Sequence, residues 1–350
     1  MKVAVVCNSP RDNAVINPFG RVSPEVYGAN TVNMVIEGLR QGGHDVLRCP
    51  GDKTLLASLE SWMPASDDGA PGGIVFNMAY GIQGDCRYTH VPAMLEMAGV
   101  PYTGSNPLGH ALALDKVITK DLIRTAGVPT PDYRVMRPGD TNFSGLSFPV
   151  VVKPRHESTS FGVQLACDPH EAAEAVSGIA ERYQQEALVE EYVDGREICV
   201  GLLGNEKLEY LPLVEHDFGD RALRMVTGED KYHRSASEPA KVCPAAVDRS
   251  LLQDLHDVSA TTFRACCCRD YARVDVRVDA QGTPWVLEIN SMASLGAGGS
   301  YVLAARTAGY SYGELVNRIL DVAHQRYFGR PAPRQLTFDV GGSGVVRAEL

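Results

Sequence analysis

Arg273-Val-Asp-Val-Arg-Val-Asp279, a turn-like Ala280-Gln-Gly-Thr-Pro284, and Val286-Leu-Glu-Ile-Asn290 decide how this chain is read. Two β-branched runs around a turn predict an antiparallel hairpin. Side chains alternate along a strand. Arg273, Asp275 and Arg277 therefore share one face, and Glu288 and Asn290 share one face of the partner. With those faces in register, Asp275, Glu288 and Asn290 form an all-oxygen cluster. Hard Mg²⁺ takes such ligands and completes its shell with water and substrate phosphates. Arg273 beside them is suited to stabilise anionic charge on a reacting group. The bland alternative is a solvated polar hairpin face.

Composition sets the outer limits. The chain has 350 residues and 44% hydrophobic content, enough for a sizeable core in two or three lobes. Lys+Arg 33 against Asp+Glu 43 gives a net charge of −10, which argues against nucleic acid or an anionic membrane as partner. Any phosphate site must then be a local basic pocket. The 9 cysteines include the run Cys266-Cys267-Cys268 but no CxxC pair, which suggests reduced, mostly buried thiols and a cytoplasmic setting. The opening Met1-Lys-Val-Ala-Val-Val-Cys7 reads as a first strand rather than a signal peptide, and no apolar run is long enough to span a bilayer.

Alternating strand and helix signals fill residues 1–111: strands over Val3–Cys7, His44–Arg48 and Gly73–Asn77, and helices over Tyr27–Gly42 and Val91–Ala98. That alternation predicts a parallel sheet, whose ligands collect at the C-terminal strand ends. The polar loop Asn8–Pro24 follows the first strand, which makes Glu25 a site candidate. The alternative is a first-turn acid favouring the helix dipole. A second lobe is expected over 112–192, with a single helix through Ala113–Arg124 carrying Lys116 and a buried strand, Phe148–Pro154, carrying Lys153. Lys153 runs into the loop Arg155-His-Glu-Ser-Thr-Ser-Phe-Gly162, and a lysine there can reach nucleotide phosphates while the loop covers them. A surface lysine with a buried stem is the alternative. Glu190 and Glu191 face opposite ways on the next strand; one is suited to an adenine amino group, the backbone at Tyr192-Val193 to the ring edge, and Glu197 to ribose hydroxyls. A third lobe, 193–330, holds the hairpin and Leu295-Gly-Ala-Gly-Gly-Ser300, a Gly-rich run leading into a helix. Backbone N–H groups at such a helix start can bind an anion. The tail 331–350 is uninformative.

The order lysine, lysine-loop, acid-rich strand, Asp hairpin, Glu-x-Asn is specific where each piece alone is weak. On Gly99-Val-Pro-Tyr-Thr-Gly-Ser105, Ala111-Leu-Ala-Leu-Asp-Lys116, Val150-Val-Val-Lys-Pro154, Val189-Glu-Glu-Tyr-Val-Asp-Gly-Arg-Glu197, Tyr271-Ala-Arg-Val-Asp275 and Leu287-Glu-Ile-Asn290, the chain resembles the ATP-grasp superfamily and, within it, the D-alanine–D-alanine ligase family. The resemblance implies a three-lobed α/β fold: an N-terminal parallel α/β lobe, and nucleotide held between two mixed α+β lobes. It implies ATP phosphates on Lys116 and Lys153, adenine near Glu190, Glu191, Tyr192 and Val193, and ribose on Glu197. It further implies Mg²⁺, with Mn²⁺ as a substitute, on Asp275, Glu288 and Asn290, and Arg273 at the anionic intermediate. Glu25 falls near the acid that receives the first amino acid's ammonium group. Thr159 and Ser160 match loop hydroxyls, and Lys231-Tyr232 resembles a mobile pair that closes over the site.

The chain also departs from the family. The usual His-Gly is Tyr80-Gly81, the acidic Gly-Glu-Asp-Gly segment is Gly84-Asp-Cys-Arg-Tyr88, and the serine expected at the second substrate's carboxylate falls on Gly299, beside Ser300. The departures cluster on substrate positions. The implied activity is ATP-dependent amide formation between small-molecule amino acids through an acyl phosphate, by a monomer or homodimer. D-alanine–D-alanine ligation is the first named activity. A ligase of specialised metabolism for a different amino acid or amine stays open, as do a phosphotransferase and a non-catalytic nucleotide- and amino-acid-binding regulator.

Overall fold

The computed structural model describes residues 1–8, 22–23, 25–221, 224–226 and 239–333, and the backbone of 335–340 and 344–349. The first sheet is parallel, in the order β2(Asp45–Pro50)-β1(Lys2–Cys7)-β3(Ile74–Asn77). Its central strand is buried from Val3 onward, as a parallel strand covered on both faces must be. The first helix begins at Ala29, so Glu25 precedes it and no acid stands in its first turn. The helix-dipole reading of Glu25 fails for that reason.

The second sheet runs β4(Tyr133–Met136)-β7(Ala187–Glu191)-β5(Val150–Pro154)-β6(Gln164–Ala166), all antiparallel, with the helix Pro169–Tyr183 packed on one face. Asp168 caps that helix through the N–H groups of His170 and Glu171. The single helix expected through Ala113–Arg124 is two. Pro107–Leu114 stops at Asp115, whose extended backbone ends one helix while its carboxylate caps the next, Lys116–Thr125.

The third sheet runs β11(Ala240–Val242)-β10(Val214–Asp217)-β8(Arg196–Gly204)-β12(Tyr271–Val278)-β13(Pro284–Asn290), with β9(Leu208–Tyr210) also paired to β8. The helix Arg249–Ala265 packs on it through Leu255 and Phe263. The tail, silent in sequence, forms a hairpin of β14(Gln335–Val340) and β15(Gly344–Glu349).

One core joins distant parts of the chain. Val32, Val35 and Leu39 of the first helix pack with Leu315, Val316 and Ile319 of the helix Tyr312–Phe328. The two helices meet at glycines. A Cβ on Gly38 would lie 2.7 Å from Val316 Cγ2 and 3.0 Å from Gly313 Cα. Asn317 Nδ2 donates to Gly38 O at 2.7 Å and Gly313 O at 2.8 Å, tying the crossing together. Ser311 and Glu314 start the second of these helices with a reciprocal capping box.

Candidate active site

The deciding hairpin has the register its alternation predicts. Asp275 pairs with Glu288 and Arg273 with Asn290, and a bulge follows Asp275. Asn290 Nδ2 lies 3.1 Å from Asp275 Oδ2 and 3.3 Å from Glu288 Oε1, so the three side chains converge. Among the described residues, no cluster holds three or more His, Cys, Asp or Glu in metal-binding array. The hairpin offers two carboxylates and an amide. That set still fits a hard divalent ion, because such an ion draws its other ligands from water and phosphate, and an amide turned over presents oxygen. Arg273 stands beside this set in the wall of a cavity. It is clasped on Asp275 by two contacts of 2.7 Å, because its neighbour two residues along the same strand face is the nearest anion.

Asp115 positions the first lysine. It caps the helix through Val117 N and Ile118 N, and it holds Arg155 by Nε at 2.9 Å and Nη2 at 2.7 Å. That fork pins the 155–162 loop against the helix start. Lys116 Nζ donates to Glu157 O of this loop and stands 3.7 Å from Glu288 Oε2, bridging loop and hairpin. Burial pulls the Lys116 ammonium below its ordinary pKa, against the pull of Glu288.

Lys153 donates to Glu190 Oε1 from the neighbouring strand. Glu190 is ion-paired to a second lysine, Lys120, at 2.7 Å. Burial pushes Lys120 down to about 8, although Glu190 works in the opposite direction. Burial would raise Glu190, but the two ammonium groups outweigh it and hold the carboxyl below the usual range. Glu191 points the other way and accepts from Ser147 N at 2.6 Å. The expected ring-edge backbone is partly committed. Tyr192 N donates to Pro149 O at 3.0 Å, and Val193 O accepts from Arg277 at 3.3 Å. Arg277 also pairs with Glu197 at 3.1 Å, across β8 and β12. Lys116, Lys153, Ser160, Glu190, Glu191, Tyr192, Val193, Glu197, Asp275 and Glu288 all line one cleft where the second and third sheets face each other.

A second cavity of about 600 Å³ adjoins it, sharing Glu197, Asp275 and Glu288 and reaching Glu25, Thr159, Arg273, Asn290, Gly299 and Ser300. Glu25 is buried in its wall. It accepts from Tyr88 Oη at 2.9 Å, Thr159 Oγ1 at 3.1 Å and Ser158 Oγ, and pairs with Arg87 Nη2 at 3.1 Å. Thr159 and Ser160 both adopt positive φ, 58° and 59°, a strained backbone that non-glycine residues keep only where surroundings enforce it. Beside Glu25, Tyr27 stacks on Tyr80 with ring centroids 4.9 Å apart, and Tyr88 meets Tyr80 tilted at 5.3 Å. The Gly299 N–H is not open to an anion, because it donates to Gly296 O at 2.8 Å. Nor does the missing side chain leave open room. A Cβ on Gly299 would lie 3.0 Å from Gly296 O and 3.1 Å from Ser294 O. Lys231 and Tyr232 lie outside the described residues.

Sequence reading missed five residues. Lys120 follows Lys116 by one helical turn, a spacing that places both on one face. Arg87 sits in the departing segment Gly84–Tyr88, Ser158 in the quoted loop. His216 and Lys241 also line the large cavity, Lys241 donating to Gly298 O at 2.9 Å, and nothing in their strands marked them.

The fold is shared with solved ligases. A crystal structure of D-alanine–D-alanine ligase from Bacillus anthracis complexed with ATP superposes with a TM-score of 0.73 at 23% identity, covering 93% of this chain and 98% of that one. A second structure of the same enzyme gives a TM-score of 0.70. Fold and relatives together define an ATP-dependent carboxylate–amine ligase of the ATP-grasp class. The chain belongs to the D-alanine–D-alanine ligase family: the family model for the D-ala D-ala ligase C-terminus matches residues 122–321. It is 36% identical to a D-alanine–D-alanine ligase of Alcanivorax borkumensis, over 67% of this chain and 73% of that protein. It is 28% identical to one of Carboxydothermus hydrogenoformans over 91% and 97%. An uncharacterized protein of Sinorhizobium fredii, y4sG, is 54% identical over 94% and 98%. Among the described residues, no helix is long and apolar enough to cross a membrane.

Proposed function

We propose that the protein joins a small-molecule carboxylate to an amine through an acyl phosphate, with ATP in the cleft between the second and third sheets. The observation that carries this reading is the convergence of Lys116, Lys153, Asp275, Glu288 and Asn290 at the point where that cleft opens into the larger cavity. On this reading residues 1–111, 112–192 and 193–330 act as three lobes.

Lys116 and Lys153 bind the phosphate oxygens, and Glu190 positions Lys153 while presenting carboxylate to the adenine side. Glu197, held by Arg277, orients the ribose. Asp275, Glu288 and Asn290 would hold Mg²⁺, or Mn²⁺ in its place. Bound there, the ion would supply charge neutralisation for the transferring phosphoryl group. A carboxylate oxygen of the first substrate attacks the γ-phosphorus and ADP leaves. The amine nitrogen of the second substrate then attacks the carbonyl carbon, loses a proton, and phosphate departs. Arg273 turns from Asp275 toward the oxyanion that develops on that carbon. The strained loop at Thr159-Ser160 covers the phosphates and keeps water from the acyl phosphate. The test is release of ADP and phosphate with pooled D- and L-amino acids, followed by mass spectrometry of products. A product of amide mass supports the reading; ADP release with a phosphorylated acid as end product would make the protein a phosphotransferase.

A further inference from the structure

Four acids line the larger cavity, and each already faces a cation. Glu25 pairs with Arg87 at 3.1 Å, Glu197 with Arg277 at 3.1 Å, Asp275 with Arg273 at 2.7 Å and Glu288 with Lys116 at 3.7 Å. Asp275 and Glu288 belong to the phosphoryl end, and Glu197 lies at the nucleotide cleft. Glu25 alone of the four does not line the nucleotide cleft, which leaves it to the non-reacting part of a first substrate.

Glu25 has no acceptor capacity left. A carboxylate offers about four lone-pair positions. Arg87, Tyr88, Ser158 and Thr159 supply four donors to it. Burial, with Glu25 adding to it, raises the Tyr88 phenol well above its ordinary value, so that donor stays protonated. Arg87 is fixed as firmly as the acid. It is 3% exposed, pairs with Glu157 at 3.2 Å and donates to His156 O at 3.0 Å. An incoming ammonium would need a carboxylate to offset its desolvation, and Arg87 already neutralises this one.

We propose that the first, phosphorylated substrate carries no ammonium group, and is a carboxylic acid whose α-carbon bears hydrogen or hydroxyl. Arg87, which does not line the cavity, already supplies the positive charge that an α-ammonium would bring to Glu25. A 2-hydroxyl can instead share the hydroxyl network of Tyr88, Ser158 and Thr159. The amine that completes the amide then comes only from the second substrate. This inference rests on the ligase reading and names the substrate class of its first subsite.

Hydroxylamine trapping reports acyl-phosphate formation without any knowledge of the acceptor. The probes are matched two- to six-carbon acids: 2-amino, 2-hydroxy and unsubstituted, both stereoisomers where they exist. The expected result is ATP-dependent hydroxamate formation with kcat/KM at least tenfold higher for the best hydroxy or unsubstituted acid than for its amino counterpart. Arg87→Ala should shift that ratio at least tenfold toward the amino acid, and Arg87→Lys, which keeps the cation, should retain the wild-type preference. Calorimetric binding of the same acids to the wild-type protein, with a non-hydrolysable ATP analogue present, gives an arm independent of turnover and of variant folding. Equal or better use or binding of the amino acids overturns the proposal, as does failure of every non-amino acid to bind. Preferential binding of a non-amino acid without hydroxamate or ADP from any acid supports the subsite assignment and overturns the ligase reading instead.

Discussion

Lys120 Nζ stands 2.7 Å from Glu190 Oε2 in a corner closed to solvent. The same carboxylate takes Lys153 on its other oxygen, and Lys120 donates to Thr130 Oγ1 at 2.6 Å. One acid thus serves two ammonium groups. Removing Lys120 leaves Glu190 to draw Lys153 inward, away from the phosphates. Lys120→Met should raise the KM for ATP about tenfold, equivalent to about 1.4 kcal/mol, with a smaller change in kcat. Steady-state kinetics over ATP concentration checks this; an unchanged KM would mean Lys120 only fills space.

The paired carboxylates of the hairpin make a separate forecast. Glu288→Gln keeps the shape and removes one charge from the set formed with Asp275 and Asn290. We expect kcat to fall at least about a hundredfold, as for loss of a charged ligand at a phosphoryl-transfer site, with the melting temperature within a few degrees of wild type. Turnover at the wild-type rate would remove Glu288 from the metal set.

His110 gives a pH dependence whose sign is fixed. It is fully buried, its Nδ1 meets Ser291 Oγ at 2.8 Å, and burial pushes its pKa down to about 3. The unfolded chain takes up this proton near pH 6.5. Below that pH the unfolded state binds more protons than the folded one, so stability is complete above about 6.5 and is lost as pH falls toward 3. At pH 5 the loss from this group is about 2 kcal/mol. Urea unfolding at pH 7 and pH 5 should show it, and His110→Gln should show a shallower dependence. Parallel pH profiles for the two proteins would rule the histidine out.

The helix crossing at Gly38 predicts an alanine that destabilises. Alanine in place of glycine inside a helix ordinarily gains about 1 kcal/mol. Here its Cβ would press to 2.7 Å on Val316 and 3.0 Å on Gly313, and overpacking of this kind costs about 1–3 kcal/mol. Gly38→Ala should lower the denaturant midpoint; a raised midpoint would show that the helices simply slide apart.

Local pattern makes much of this legible in the chain itself. The alternation in Arg273–Asp279 and Val286–Asn290 yields the face of Asp275, Glu288 and Asn290, because a period of two leaves a strand little choice. The order of Lys116, Lys153 and the acid-rich strand identified the family. Contacts between residues remote in sequence were hidden. Arg87 and Glu25 are 62 positions apart, and only packing brings the guanidinium to the acid. The clasp of Arg273 on Asp275 and the Gly299 N–H bond to Gly296 O were invisible for a different reason: both spend, on a near neighbour, a group that sequence reasoning assigned to a substrate. Asp115 was read as helix interior because its flanks are helical, yet its own side chain is what divides them.

The crossing of Gly38 with Gly313 and Asn317 also orders events during synthesis. Asn317 reaches Gly38 across 279 positions of chain. A ribosome adding roughly 10 residues per second needs about half a minute to make that interval. Throughout it, the first helix has its strands to rest on but no partner for the face that carries Gly38. The first sheet to emerge is therefore the last to be sealed, and a ribosome stalled before residue 312 would hold a nascent chain with that groove still bare.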